Sequence, residues 1–179
     1  PLYSSAASDV YKRQGLAGDA ITTGGANVAL GYQALTTDTK GSRSVAVGFS
    51  ALRFQANTSA VETYNVAVGH AAGEAVTTGT NNTLVGGLTG DAITTGAANT
   101  IVGYNIAASG VGVDHQVAIG NSFTTGGTNT VRIGTSTGNA TLGLDGSDTS
   151  WAAASDERLK KDIANSTVGL SFINALRPV

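Results

Sequence analysis

A short phrase of alternating polar and apolar residues recurs along this chain at a nearly fixed interval. Each phrase opens on a polar residue, continues with three mostly apolar residues and closes on Gly. The seven phrases occupy residues 27–31, 44–48, 65–69, 82–86, 99–103, 116–120 and 130–134, and their closing glycines are 17, 21, 17, 17, 17 and 14 residues apart. Such self-similarity is typical of a solenoid, in which each coil buries its apolar surface against the next one.

The alternation within a phrase predicts a β-strand with two different faces. In the first phrase Val28 and Leu30 share one face and Ala29 lies on the other. We expect the larger side chains to fill the inside of the coil and the small one to face outward, where another chain could approach closely. The closing Gly is expected at a corner, because it adopts backbone conformations that other residues resist.

The remainder of each coil predicts a second, shorter strand and a polar corner. Four segments rich in β-branched residues end in Thr-Thr, at residues 20–23, 34–37, 75–78 and 92–95. The Asn that follows a Thr-Thr-Gly corner, such as Asn82, is expected to bond nearby backbone or the same Asn one coil away. The 21-residue interval holds four extra residues, which predict a loop that bulges from a corner within residues 54–64.

Composition narrows the function classes. With 25 Gly among 179 residues and 6% aromatic residues, the core must be narrow. A net charge of -2 with 12% charged residues leaves no basic stripe that could bind nucleic acid. The sequence contains no run of about 18 apolar residues, so it does not predict membrane insertion. We expect no cofactor and no metal, since His70 and His115 lack a second ligand at metal spacing. The absence of Cys leaves oligomerisation as the natural source of added stability.

The repeats resemble the head repeats of trimeric autotransporter adhesins and related repeats in bacteriophage tail fibres and collar appendages. This resemblance covers residues 15–134 and implies an all-β fold, a left-handed parallel β-roll or solenoid of about seven coils, assembled as a homotrimer. The adhesin period of about 14 residues is matched only by the last interval. The longer coils look more like the tail-fibre variety.

A second resemblance begins at Ser155. The run Ser-Asp-Glu-Arg-Leu-Lys-Lys-Asp-Ile at residues 155–163, with Leu-Arg-Pro-Val at the end, is similar to the opening of the intramolecular chaperone domain of phage tail spikes, endosialidases and neck appendages. That family guides trimer assembly and then cuts itself off. By this resemblance the scissile bond joins Ala154 to Ser155, Ser155 is the nucleophile and Lys160 is its general base. A helix is predicted over residues 167–176.

Four segments are therefore predicted. Residues 1–14 are interpreted as a non-native or disordered leader, 15–134 as the β-roll, 135–154 as a linker or irregular neck, and 155–179 as the N-terminal fragment of the chaperone domain. Self-cleavage by the serine and lysine dyad is expected only where the chaperone domain is complete. The 179-residue chain by itself is expected to have no enzymatic activity.

These expectations favour a structural trimeric fibre segment, a tail fibre or appendage, whose chaperone assists assembly and is released by self-cleavage. The alternative is a surface adhesin head that binds a host glycan or protein receptor. A glycan-degrading tail spike is disfavoured because no pair of carboxylates suited to glycoside hydrolysis stands out. The expected place of action is a virion tail or a bacterial cell surface; the sequence leaves receptor, host and origin open.

Overall fold

The computed structural model describes residues 11–13, 15–144, 146 and 152–153. Its strands are short, and ten of them form one sheet. In chain order the twelve strands are β1 (Tyr11–Arg13), β2 (Val28–Leu30), β3 (Gly41–Ser42), β4 (Val45–Val47), β5 (Val61–Glu62), β6 (Val66–Val68), β7 (Thr83–Val85), β8 (Thr100–Tyr104), β9 (Val117–Asn121), β10 (Thr130–Thr135), β11 (Gly138–Gly143) and β12 (Ala152–Ala153).

The phrase strands stack in parallel, each in register with its counterpart one coil away. The order along the sheet is β1-β2-β4-β6-β7-β8-β9-β10, followed by β11 and β12 in antiparallel pairing. The described part of the chain contains no helix and makes a parallel β-solenoid of about six turns. The expectation of an all-β parallel solenoid is thus confirmed.

The faces of the strands are the reverse of those predicted. Ala29, Ala46 and Ala67 are fully buried, whereas Val68 and Val102 each keep 37% of their surface exposed. A period of two identifies two faces but does not say which one is inside. Assigning the larger residues to the interior was wrong because the interior here is too shallow to hold them on every coil.

Inside the coil, the volumes of facing residues compensate one another. On the strands of the first three repeat coils the inward residue is Ala. In the first two of these coils, a fully buried leucine, Leu35 or Leu52, comes from the segment opposite the strand. On the fourth strand the inward residue is the large Leu84, and the residues that face it, Gly73 and Gly90, have no side chain. A Cβ at either glycine would collide with the Leu84 methyl groups. In these coils a large residue on one side of the core is matched by a small one on the other side.

The predicted second strands are not strands. The segment between one phrase strand and the next, called the arc here, turns repeatedly, and Leu35 and Leu52 take φ values of +52° and +48°. Such left-handed residues interrupt an extended chain. Backbone bonds from coil to coil hold the arc instead, as from Thr77 N to the Thr94 carbonyl at 2.8 Å. The β-branched threonines serve this stacking without forming regular strands.

A ladder of buried amides runs up the corner that precedes the strands, as predicted. Asn82 Oδ1 accepts the Asn99 backbone N–H at 3.1 Å and the Asn99 side-chain amide at 2.9 Å, while Asn82 Nδ2 donates to the Gly96 carbonyl at 2.9 Å. The same bond from backbone N–H to the amide oxygen one coil below recurs at Ser44, Asn82 and Gln116. The ladder thereby satisfies buried polar groups that no strand pairs.

Glycine closes each phrase because two constraints coincide there. Gly86 has φ +123°, and a Cβ at this position would run into the carbonyl of Gly103 on the next coil. The backbone thus turns at the same residue where it comes closest to the backbone of the next coil. The expectation of a corner glycine is confirmed.

The two ends of the stack differ. At one end β1, within the segment interpreted as a leader, pairs in parallel with β2. At the other, β11 folds back on β10, so the sheet continues past residue 134 into the segment predicted as a linker or neck. The inward position of β10 is Arg132, whose guanidinium bonds Thr141 Oγ1 at 2.9 Å and the Thr124 carbonyl at 2.6 Å. A polar group thus closes the apolar column.

Substitution of the inner and outer aliphatic residues tests this assignment. Ile101→Ala should lower the free energy of unfolding by about 2–5 kcal/mol, because it empties a fully buried site. Val111→Ala, at an arc residue that is 61% exposed, should change it by less than about 0.5 kcal/mol. Chemical denaturation of both variants measures the difference; equal losses would contradict the assigned interior.

Candidate interaction face

The outward side chains of the phrase strands form one continuous surface, called the outer face here. It consists of two rows of side chains that run along the stack. The first row holds the residue directly after the polar residue of each phrase: Val28, Val45, Val66, Thr83, Thr100, Val117 and Val131. The third-position row holds the residue two positions further on: Leu30, Val47, Val68, Val85, Val102, Ile119 and Ile133. Neither row contains a charged residue.

A row of aromatic side chains borders the outer face, at the residue after the closing glycine. The Tyr32 and Phe49 rings stack with centroids 5.6 Å apart, and Phe49 stacks on His70 at 5.3 Å. The next position is Gly87, where a Cβ would lie 3.4 Å from Cδ2 of the Tyr104 ring. The row therefore lacks a ring at this coil, where the Tyr104 ring of the next coil lies beside Gly87. Beyond Tyr104 the row continues with Asn121 and Thr135, which carry no ring. Both Phe49 and Tyr104 are about half exposed, at 48% and 54%.

The extent of this apolar surface is unusual for a surface left in water. Six intervals of about 4.8 Å and four residue steps of about 3.3 Å give a backbone footprint of roughly 29 by 13 Å before side chains are added. Patches of a few hundred Å² are the largest that monomeric proteins normally expose, and they mark interaction sites. The exposed β-branched residues, including Ile119 at 44%, are thus the strongest candidate site in the described residues.

A buried polar cluster accommodates the four extra residues. Ser44 stands where the ladder would have Asn, and Gln55 from the longer coil reaches into the gap. Gln55 Oε1 accepts the Asn65 amide at 2.8 Å, and Gln55 Nε2 donates to Ser44 Oγ at 3.0 Å and to Asp38 Oδ2 at 2.5 Å. The extra residues were predicted as a bulging loop, yet Gln55 points inward and repairs the ladder.

Asp38 is fully buried in this cluster. Besides Gln55, the Asp38 carboxylate accepts the backbone N–H groups of Gly41 at 3.2 Å and Asn57 at 2.9 Å. Three donors compensate for the water that the carboxylate loses on burial. The cluster is therefore a structural polar core, and the sequence signal that could have revealed it is the missing Asn at Ser44 beside a longer repeat.

The surface of the longer coil carries a separate charged cluster. Arg43 pairs with Glu62 at 2.8 Å, and its guanidinium lies 5.6 Å from the centre of the Tyr64 ring. Tyr64 Oη donates to Glu62 Oε2 at 2.6 Å. This hydrogen bond lowers the pKa of Glu62, as does the charge of Arg43, and it raises the pKa of Tyr64. All three side chains are exposed, so the cluster is chemically accessible.

The residues predicted to cut the chain lie outside the described residues. Ala154, Ser155 and Lys160 are in this category, as is the helix predicted over residues 167–176. Within the described part, His70 and His115 are both exposed and no cluster of three or more potential metal ligands occurs. No helix there is long and apolar enough to cross a membrane.

Comparison of the chain with protein-family models, with curated proteins and with solved structures finds no significant match.

The Gln55 cluster predicts a pH-dependent effect of an isosteric change. Gln55→Glu places a second carboxylate against Asp38 in a buried site and should lower the free energy of unfolding at neutral pH by about 3–5 kcal/mol. Acidification should shrink this loss, because one carboxyl takes up a proton and donates to the other. Denaturation at several pH values measures it, with Gln33→Glu as the control at a less buried site. A loss that does not change with pH would contradict the carboxylate contact.

Proposed function

We propose that this chain is a structural segment of a trimeric fibre, such as a phage tail fibre or appendage. The observation that carries the proposal is the outer face, an uncharged surface that extends along the whole stack of phrase strands. The buried alanines no longer support close approach of chains. The exposed rows of Val and Ile support association instead, because a partner chain would remove them from water.

A copy of the same chain is the partner that fits this face. The rows repeat once per coil, at the spacing of parallel β-strands. A partner must therefore present apolar side chains at the same pitch over the same length, and a second copy does so by construction. Three copies around one axis would cover the face of each chain and leave the arcs in contact with water. Rotation about an axis parallel to the stack keeps every coil level, and a heterologous contact whose rotation closes gives a ring such as a trimer.

The segment from Ser155 onward adds the proposed chaperone. Its similarity to the intramolecular chaperone family supports assistance in trimer assembly, followed by attack of Ser155 Oγ on the Ala154 carbonyl carbon with Lys160 as the base. Attack would form an ester and break the peptide bond, and water would then hydrolyse the ester. The site of action proposed for the mature fibre is a virion tail or a cell surface.

One observation favours the adhesin alternative. The exposed Arg43, Glu62 and Tyr64 cluster places charge, hydrogen-bonding groups and an aromatic ring together on the surface, just before strands β4 and β6. Such a combination suits a glycan or protein receptor.

The oligomeric state is the direct test of the fibre proposal. Light scattering on the purified chain should report three copies, and Val102→Asp should yield monomers because it puts a charge into the outer face. Circular dichroism of that monomer should keep the β signal, since Val102 is outside the core. Val111→Asp on the arc is the control and should leave the trimer intact. A wild-type chain that stays monomeric at all concentrations would refute the proposal.

The processing proposal is tested on the chain extended by a complete chaperone domain. Mass spectrometry should find a product ending at Ala154, and both Ser155→Ala and Lys160→Arg should remain uncut, since one loses the nucleophile and the other a base able to act near neutral pH. Both variants should still form trimers. Cleavage between Ala154 and the substituted residue in Ser155→Ala would eliminate this mechanism.

A further inference from the structure

The first row of the outer face is uniform except at two consecutive coils. Within the first row Thr83 and Thr100 are the only polar residues, and they lie directly on one another in the register of β7 and β8. The run of rings at Tyr32, Phe49, His70 and Tyr104 is interrupted at Gly87, on the same coil as Thr83. Polarity and shape thus change together, at the fourth and fifth strands of the seven in the row.

The threonine hydroxyls are available to a partner. Neither Thr83 Oγ1 nor Thr100 Oγ1 makes a hydrogen bond within the described part of the chain, although many other threonines, such as Thr77, bond a carbonyl one coil away. Both residues are half-buried on the outward side of the sheet. Valine, which is nearly the same shape, occupies the other five positions of the row, so packing along the row does not require the hydroxyl.

A uniform face has a weakness that such a marker corrects. Rows of Val and Ile that repeat every coil would pack nearly as well after one chain slides by one coil, because only the contacts at the two ends are lost. A slid pair no longer closes around a rotation axis and can add further chains without limit. The irregular coils in the middle reduce this degeneracy, because sliding by one coil sets hydroxyls against valine methyl groups and sets an aromatic ring against Gly87.

We propose that Thr83 and Thr100, together with the notch at Gly87, set the axial register between copies of this chain. When the chains are level, both hydroxyls of each chain meet their equivalents in the neighbouring chain. After a slide by one coil, Thr83 of one chain still meets Thr100 of the other, but the remaining two hydroxyls face valine. This role is analogous to that of a buried polar residue that fixes register in a coiled coil at some cost in stability. The inference rests on the proposed assembly through the outer face, and it adds which residues select the closed form.

The chain has no Cys, so single cysteines can report the register. Chains carrying Val47→Cys and chains carrying Val68→Cys, on adjacent coils of the third-position row, are denatured, mixed, refolded together and treated with a short bis-maleimide. Level chains should give mainly links between identical positions. Chains that slide by one coil should give links between the two different positions, which mass spectrometry of the digested products distinguishes.

In the Thr83→Val/Thr100→Val background, mixed links should rise at least threefold relative to links between identical positions, and light scattering should detect species larger than three copies. Thr83→Ser/Thr100→Ser keeps the hydroxyls and should retain the original pattern. The single Thr83→Val variant should fall between the two. Assembly with an unchanged link pattern in the double valine variant would overturn the register proposal alone, whereas a wild-type chain that does not assemble would overturn the fibre proposal as well.

Discussion

Stacking in register is the constraint on which the rest of this structure depends. Each residue lies on its counterpart one coil away, so every row must be compatible with itself. Alanine, asparagine and glycine satisfy this condition in three ways, through small volume, through an amide that both donates and accepts, and through a backbone that tolerates close contact. A buried carboxylate cannot repeat in such a row, and Asp38 is compensated by Gly41 of its own coil and by Gln55 and Asn57 of the longer coil.

The repeat was sufficient to predict a parallel solenoid, because a short fixed period with a strand in every unit admits few other packings. The faces were predicted the wrong way round for a physical reason. Ala67 and Val68 lie on opposite faces of one strand, and both are apolar. Hydrophobicity therefore does not show which face packs in the core and which forms the apolar outer surface. The Thr-Thr segments were predicted as strands from β-branched content. Left-handed residues such as Leu35 make them turns, and single-residue preferences do not reveal that stacking requirement.

The candidate site was visible in the sequence as a pair of rows, but it was interpreted as the core. The contribution of Gln55 was missed altogether, because an inward side chain from an inserted segment depends on how the coil closes in space. Its local signal is the replacement of the ladder Asn by Ser44. The roles of Ser155 and Lys160 depend on resemblance, since their positions lie outside the described residues.

The in-register repeat also has a consequence for how such a chain can evolve. Residues 87–104 repeat residues 15–32 nearly letter for letter. Duplicating a coil lengthens the stack while every new contact along the axis copies an existing one. If the partner is the same gene product, the same mutation lengthens both sides of the interface at once. Length is then a freely variable trait in a self-associating rod, whereas a rod that bound an unrelated partner along its whole side would need two coordinated changes.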